Sequence, residues 1–303
     1  MLDPGDFEHR YTRVNGIRMH YVQAGAGKRL LLFLHGFPEC WWSWRHQLAL
    51  FMPDGAPGGG AAPGERFTAV APDLRGYNET DSPAWGYELD VLVNDVVSLI
   101  RELGPTKAIL VGHDWGGVIA WALAIAYPQR VERLIVLNAP HPARFAEELG
   151  RNWRQMLRSW YMVFFQLPFL PEAAISYDDY AGLERIFRGT AVDSSHFGDE
   201  DIRMFKAALS RPGALTAALN YYRALMRQGS RGMFRGTDMR VHAPTLMIWG
   251  EQDMALGKEL TYGTERFVPD LRIRYLPRCS HWVQQECPAE VNSAILEFLS
   301  DMV

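Results

Sequence analysis

The stretch AILVGHDWGGVIAWALA, residues 108–124, changes character at its centre, and its reading decides the fold. Ala108 to Gly112 is a short apolar run, which predicts a strand buried on both faces. Val118 to Tyr127 is apolar all round and rich in alanine, which predicts a buried helix. Between them lies the turn Gly112-His113-Asp114-Trp115-Gly116. Its flanking glycines let strand and helix approach closely. The central side chain is then pushed up at the carboxyl edge of a sheet, beside a helix N-terminus that favours negative charge. A dinucleotide corner would read G-x-G-x-x-G; this turn does not, and Asp114 would repel a phosphate.

Strands and helices alternate outward from this turn. Residues 7 to 24 predict two strands around Asn15-Gly16, a strong hairpin signal. Arg29 to His35 and Phe67 to Pro72 are short apolar runs that predict buried strands. Between these two lie a tryptophan-rich segment, Trp41 to Leu50, and a Gly/Pro-rich stretch, DGAPGGGAAPGE, expected as a surface loop. Leu89, Leu92, Val93, Val96, Ile100 and Leu103 share one helical face, and Gly104-Pro105 stops that helix. Val131 to Asn138 predicts a strand. The alternation resumes with a strand at Thr245 to Gly250, a helix, a strand at Leu271 to Leu276 and a final helix within Pro288 to Met302. From Pro142 to Asp238 no strand is expected, and aromatic residues, Arg and Leu recur at helical spacings. The prediction is an α/β core of residues 1–141 and 239–303, a mostly parallel sheet flanked by helices. A helical lid, residues 142–238, is inserted after the sixth strand.

Asp114 sets the chemistry. Esterases hold Ser at this point of the turn, and a hydroxyl must lose its proton before it attacks. A carboxylate, with a reference pKa of about 3.9, is already ionised at neutral pH. It attacks an sp³ carbon bearing a leaving group and forms an ester with it. The expected substrates are alkylating electrophiles such as epoxides or alkyl halides. Hydrolysis of that ester needs a base and an acid that orients it. In turns of this kind the chain order is nucleophile, acid, His. Asp253 in TLMIWGEQD and His281 in CSHW fit that order; Glu251 is the competing acid, closer to the strand end. The backbone N–H groups of Phe37 and Trp115 are candidates for the oxyanion hole.

The segments HGFPECWWSWRHQ, APDLRGYNETDSP, VGHDWGGVIAWALA, NAPHP, RPGALTAALNYYRAL, WGEQD and SHWVQQECP together resemble the epoxide hydrolase branch of the α/β-hydrolase fold family, from about Gly16 to Leu299. Asn78 stands where that family usually has Gly, and Asn tolerates the left-handed conformation. The resemblance implies two lid tyrosines that hold the epoxide oxygen. RSWYMVFFQLPFLPE offers Tyr161; ALNYYRAL offers Tyr222, with Tyr221 as its rival. It also implies a pocket drawing on His35, Pro38 and Trp282. The implied reaction turns an apolar epoxide and water into a vicinal diol with no cofactor and no metal. A dehalogenase acting on haloalkanes or haloacids with the same Asp-His-Asp set is the alternative; Trp115 fits haloalkane enzymes, and the tyrosine pair favours the epoxide.

Composition bounds the partners. The chain has 303 residues, 48% apolar and 22% charged, and a net charge of -4. That charge predicts no attraction to nucleic acid or to an anionic membrane for the chain as a whole. The polar start MLDPGDFEHRY does not read as a signal peptide, and no apolar run is long enough to span a bilayer. A cytoplasmic monomer or homodimer is expected. Three cysteines, Cys40, Cys279 and Cys287, suggest neither a disulfide framework nor a zinc site.

Overall fold

The computed structural model describes residues 2–52, 63–228, 234 and 236–302. Eight strands form one sheet: β1 (Glu8–Val14), β2 (Ile17–Ala24), β3 (Arg29–Leu34), β4 (Phe67–Pro72), β5 (Ala108–His113), β6 (Val131–Leu137), β7 (Thr245–Gly250) and β8 (Leu271–Leu276). Their order is β1-β2-β4-β3-β5-β6-β7-β8. The hairpin β1–β2 is antiparallel and closes with Val14 opposite Ile17. Its turn residues, Asn15 and Gly16, both take positive φ (46° and 83°), as the Asn-Gly pair predicts. β2 also runs antiparallel to β4, and every later pairing is parallel.

The central strands are the apolar runs seen in the sequence. β5 and β7 are buried at every position, because helices cover both faces of the sheet. β8, at the edge, alternates instead. Each fully buried Leu, Ile or Val in these strands contributes about 1.5–3 kcal/mol. Parallel pairing also brings the carboxyl ends of β3, β5, β6, β7 and β8 to one edge. The loops that follow these strands carry Phe37, Asp114, Asn138, Asp253 and His281.

Between β6 and β7 the described residues contain helices and no strand: Pro142–Leu149, Trp153–Arg158, Trp160–Phe164, Leu170–Thr190, Asp199–Leu209 and Ala214–Gln228. Phe187 stacks on Phe205 with ring centroids 4.5 Å apart and meets Trp282 of the core at 4.7 Å, tying this insert down.

Three expectations differ. The helix foreseen between β7 and β8 is two short 3₁₀ turns, Lys258–Thr261 and Thr264–Arg266. Most of the Gly/Pro-rich stretch lies outside the described residues, and its end, Pro63–Arg66, is one helical turn. Cys279 and Cys287 are joined as a disulfide, with Cα atoms 6.6 Å apart. A turn of helix, Val283–Glu286, folds the chain back between them, a fold-back that spacing alone does not announce.

Candidate active site

Asp114 sits between β5 and the helix Trp115–Ala126 with φ 48° and ψ -118°, a conformation L-residues rarely adopt. Crowding holds it there. A methyl group on Gly116 would overlap the Leu34 carbonyl, and one on Gly36 would overlap the Asp114 side chain. This strained bend lifts the carboxylate to the sheet edge, where it keeps 15% of its accessibility. Oδ1 accepts a hydrogen bond from the Phe37 amide at 2.8 Å. Oδ2 lies 3.6 Å from Nε2 of His281. The other expected donor, the Trp115 amide, makes no hydrogen bond to the free carboxylate. An amide bonded next to the side chain's own residue aligns poorly with it, and donors of this kind are aimed at the oxygen that develops during reaction.

His281 donates from Nδ1 to Oδ2 of Asp253 at 2.7 Å. Asp253 is fixed from every side. Its Oδ2 also accepts from the Asn138 amide at 2.7 Å, and its Oδ1 from the backbone of Ala255 (2.8 Å) and Leu256 (2.9 Å). Glu251 is elsewhere, paired with Lys258. Burial pushes the carboxyls of Asp114 and Asp253 up. For Asp114 the hydrogen bond and charge of His281 lead the opposing causes; for Asp253 the charge of His281 does. Both carboxyls stay below the ordinary range. Burial pushes the His281 imidazole down, but the two carboxylates outweigh it and hold it well above its ordinary value.

Two residues escaped the sequence reading. Asn138, buried at the end of β6 with φ 39°, accepts from the Gly250 amide at 2.8 Å while donating to Asp253. The first residue of NAPHP, directly after a strand, was the available signal. Glu39 is buried behind the turn and accepts from the Gly36 amide, His113, Gln284 and Gln285 at 2.8–2.9 Å. His113 spends its other nitrogen on the His281 carbonyl at 2.9 Å. This buried pair links the oxyanion loop to the backbone that carries the catalytic candidate His281. A carboxylate three residues after a predicted strand, amid apolar neighbours, was its only trace.

Tyr161, on the helix Trp160–Phe164, and Tyr222, on the helix Ala214–Gln228, come within reach of the Asp114 charge, their rings 5.9 Å apart and nearly perpendicular. Tyr222 also meets Trp115 at 5.1 Å and Phe37 at 5.4 Å, edge to face. The Tyr161 oxygen has no hydrogen-bond partner among the described residues, whereas the Trp115 side chain acts on the Tyr222 oxygen as a donor. Burial first, then the Asp114 charge, pushes both phenols up, so each stays protonated and able to donate. Tyr221, the rival, points away and donates to the Arg75 carbonyl at 2.8 Å.

The pocket assignment of His35 needs correction. Its ring is fully buried, donating from Nδ1 to the Gly36 carbonyl and accepting from the Leu74 amide, so both ring nitrogens are spent on tying two loops together. Trp282 packs edge-on to His281 at 4.9 Å and donates to Thr190 in the insert. Pro38 is buried after a cis bond. Asn78 takes the left-handed conformation (φ 44°) in place of Gly. Two hollows, of about 470 and 530 Å³, open elsewhere on the surface and include none of these residues.

The arrangement brings a carboxylate, an imidazole with a second carboxylate behind it, an amide donor and two phenols close together. A family model described as alpha/beta hydrolase fold matches residues 29–287. The chain is 39% identical to Epoxide hydrolase 4 of Mus musculus, over 99% of this chain and 81% of that protein. It is 38% identical to AB hydrolase superfamily protein YfhM of Bacillus subtilis, over 96% of this chain and 98% of that protein. The crystal structure of a Bacillus megaterium epoxide hydrolase with an inhibitor superposes with a TM-score of 0.85 at 35% identity, covering 96% of this chain and all of that one.

Proposed function

The chain belongs to the epoxide hydrolases of the α/β-hydrolase fold family, and from that premise we propose that it converts epoxides to vicinal diols through an ester on Asp114. The observation that carries this reading is the accessible Asp114 carboxylate, 3.6 Å from His281 and near the two phenols of Tyr161 and Tyr222, whose acceptors are still free to be chosen by substrate.

In the first half, an Asp114 oxygen attacks one epoxide carbon and the carbon–oxygen bond of the ring breaks. Tyr161 and Tyr222 hydrogen-bond the departing oxygen, and one phenol gives it a proton. Attack consumes the Asp114 charge. His281 thereby loses one of the two carboxylates that hold its proton, and its pKa falls. It gives that proton up to restore the spent phenolate to a phenol, then, oriented by Asp253, takes a proton from water, and the hydroxide adds to the ester carbonyl; on collapse His281 returns the proton to the departing diol oxygen. The Phe37 amide, joined by that of Trp115, faces the oxyanion. Collapse releases the diol and regenerates Asp114. Water supplies one oxygen and two hydrogens overall. No relative reported above bears the name of a dehalogenase.

A single turnover in heavy-oxygen water tests the ester. The first diol formed should carry an oxygen from the protein, and label in that first diol would exclude Asp114 as nucleophile.

We further take residues 142–238 as a cap on a core of 1–141 and 239–303, working on small apolar epoxides. A cytoplasmic, detoxifying role fits such substrates. The Cys279–Cys287 loop is also closed by Glu286, which accepts from the Ser280 amide at 2.9 Å.

A further inference from the structure

One stretch of the insert, residues 151–170, exposes apolar side chains on its outer side. Tyr161 and Phe165 turn toward the site, yet Trp153, Leu157, Trp160, Val163, Phe169 and Leu170, from the same stretch, face solvent. Trp153 and Trp160 are each 64% exposed, and Phe169, at a positive-φ corner, is 83% exposed. A helix that is apolar all round needs cover on every side, and here one side has none. A contiguous exposed patch of this kind marks an interaction surface.

Charge identifies the occupant. From Arg151 to Leu170 the chain has three arginines, Arg151, Arg154 and Arg158, and no acidic residue, in a protein of net charge -4. Arg158 pairs with Glu259, whereas Arg151 and Arg154 have no acidic partner among the described residues. Exposed tryptophan and leucine beside unpaired arginine is the composition of a segment that lies in a lipid headgroup layer. A second copy fits worse, because a twofold contact sets each patch against its own image and opposes these arginines to one another. No helix among the described residues is long and apolar enough to cross a membrane, so the contact would be with the surface only.

We propose that the outer face of residues 151–170 docks the enzyme on anionic lipid surfaces. Apolar substrates partition into lipid, so docking would bring the insert to where they accumulate. The surface itself does not depend on the reaction assigned above.

The test is co-sedimentation of the whole chain with phosphatidylcholine vesicles, with and without phosphatidylglycerol, at low and high salt. Binding should require phosphatidylglycerol and fade with salt. Arg151→Gln and Arg154→Gln should each weaken it about fivefold. The pair Trp153→Ala and Phe169→Ala should reduce it at least tenfold while diol formation from a water-soluble epoxide is unchanged, which shows the variant folded. Three results would overturn the proposal: no sedimentation at low salt, equal binding to neutral vesicles, or variants that turn a dimer into a monomer without changing vesicle binding.

Discussion

The floor and the roof of the site are built on opposite principles. On the floor the two supporting carboxylates are anchored. Asp253 accepts from Asn138, Ala255, Leu256 and His281, and Glu39 accepts from four groups behind the turn. The roof holds its two tyrosines mainly by ring packing and leaves both phenol protons without an acceptor among the described residues. The floor must keep one geometry through two chemical steps, so fixed dipoles serve it and cost no reorganisation. The roof has to meet an oxygen that is absent until substrate arrives. Free donors at its centre interact more strongly with the developing alkoxide than any donor already spent on the protein.

The difference breaks most visibly at the floor. Asp114→Ala removes the atom that bonds to substrate and should lower the rate of diol formation by at least about 10⁴, as expected when a covalent nucleophile is lost. A rate near wild type would remove the premise. His281→Gln should leave alkylation intact and slow ester hydrolysis by roughly 10³. Intact-protein mass spectrometry should then show the enzyme heavier by one whole epoxide, because ring opening is an addition. Without that species, the two-step division fails.

Changes to the roof should cost less and act earlier. Tyr161→Phe and Tyr222→Phe each leave one donor in place, so each should slow the alkylation burst by about 10- to 100-fold, less than the full worth of general-acid catalysis. The Tyr161→Phe and Tyr222→Phe double variant should lose far more than either alone. Hydrolysis of a preformed ester should change little in all three. Equal slowing of both steps would mean the tyrosines only shape the cap.

The same contrast explains what was legible in the sequence. Floor residues stand at strand ends, where period and turn chemistry are strong, so Asp114, Asp253 and His281 emerged in chain order from the alternation of strands and helices. Their supports did not, because Asn138 and Glu39 act through hydrogen bonds between segments that only the folded sheet brings together. His35 was misread for the complementary reason: it stands next to the oxyanion loop in sequence, but its ring turns inward. On the roof, Tyr221 and Tyr222 are neighbours on one helix and point about 100° apart, so composition cannot choose between them. The Arg75 carbonyl, far off in sequence, engages Tyr221 and leaves Tyr222 facing the site. The missed disulfide has the same origin, a fold-back created by one helical turn.

The smallest expected effect lies in the support beneath the floor. Asn138→Ala removes a donor to Asp253 and the acceptor of the Gly250 amide, so the variant should lose about 1–3 kcal/mol at pH 7. Part of that loss depends on pH, with a definite sign. Asp253 is held below the ordinary aspartate range, so its ionised contacts stabilise the fold above that range and fade as pH falls through the depressed value. Without Asn138 the carboxylate has one donor fewer, its pKa rises, and acid unfolding should begin at higher pH. Melting temperatures of both proteins between about pH 7 and pH 3 should therefore differ most near neutrality and converge toward acid, leaving only the portion owed to Gly250. A gap that stays constant would mean Asn138 supports the backbone alone. Turnover should fall by only about tenfold, because three donors, His281 among them, still hold Asp253.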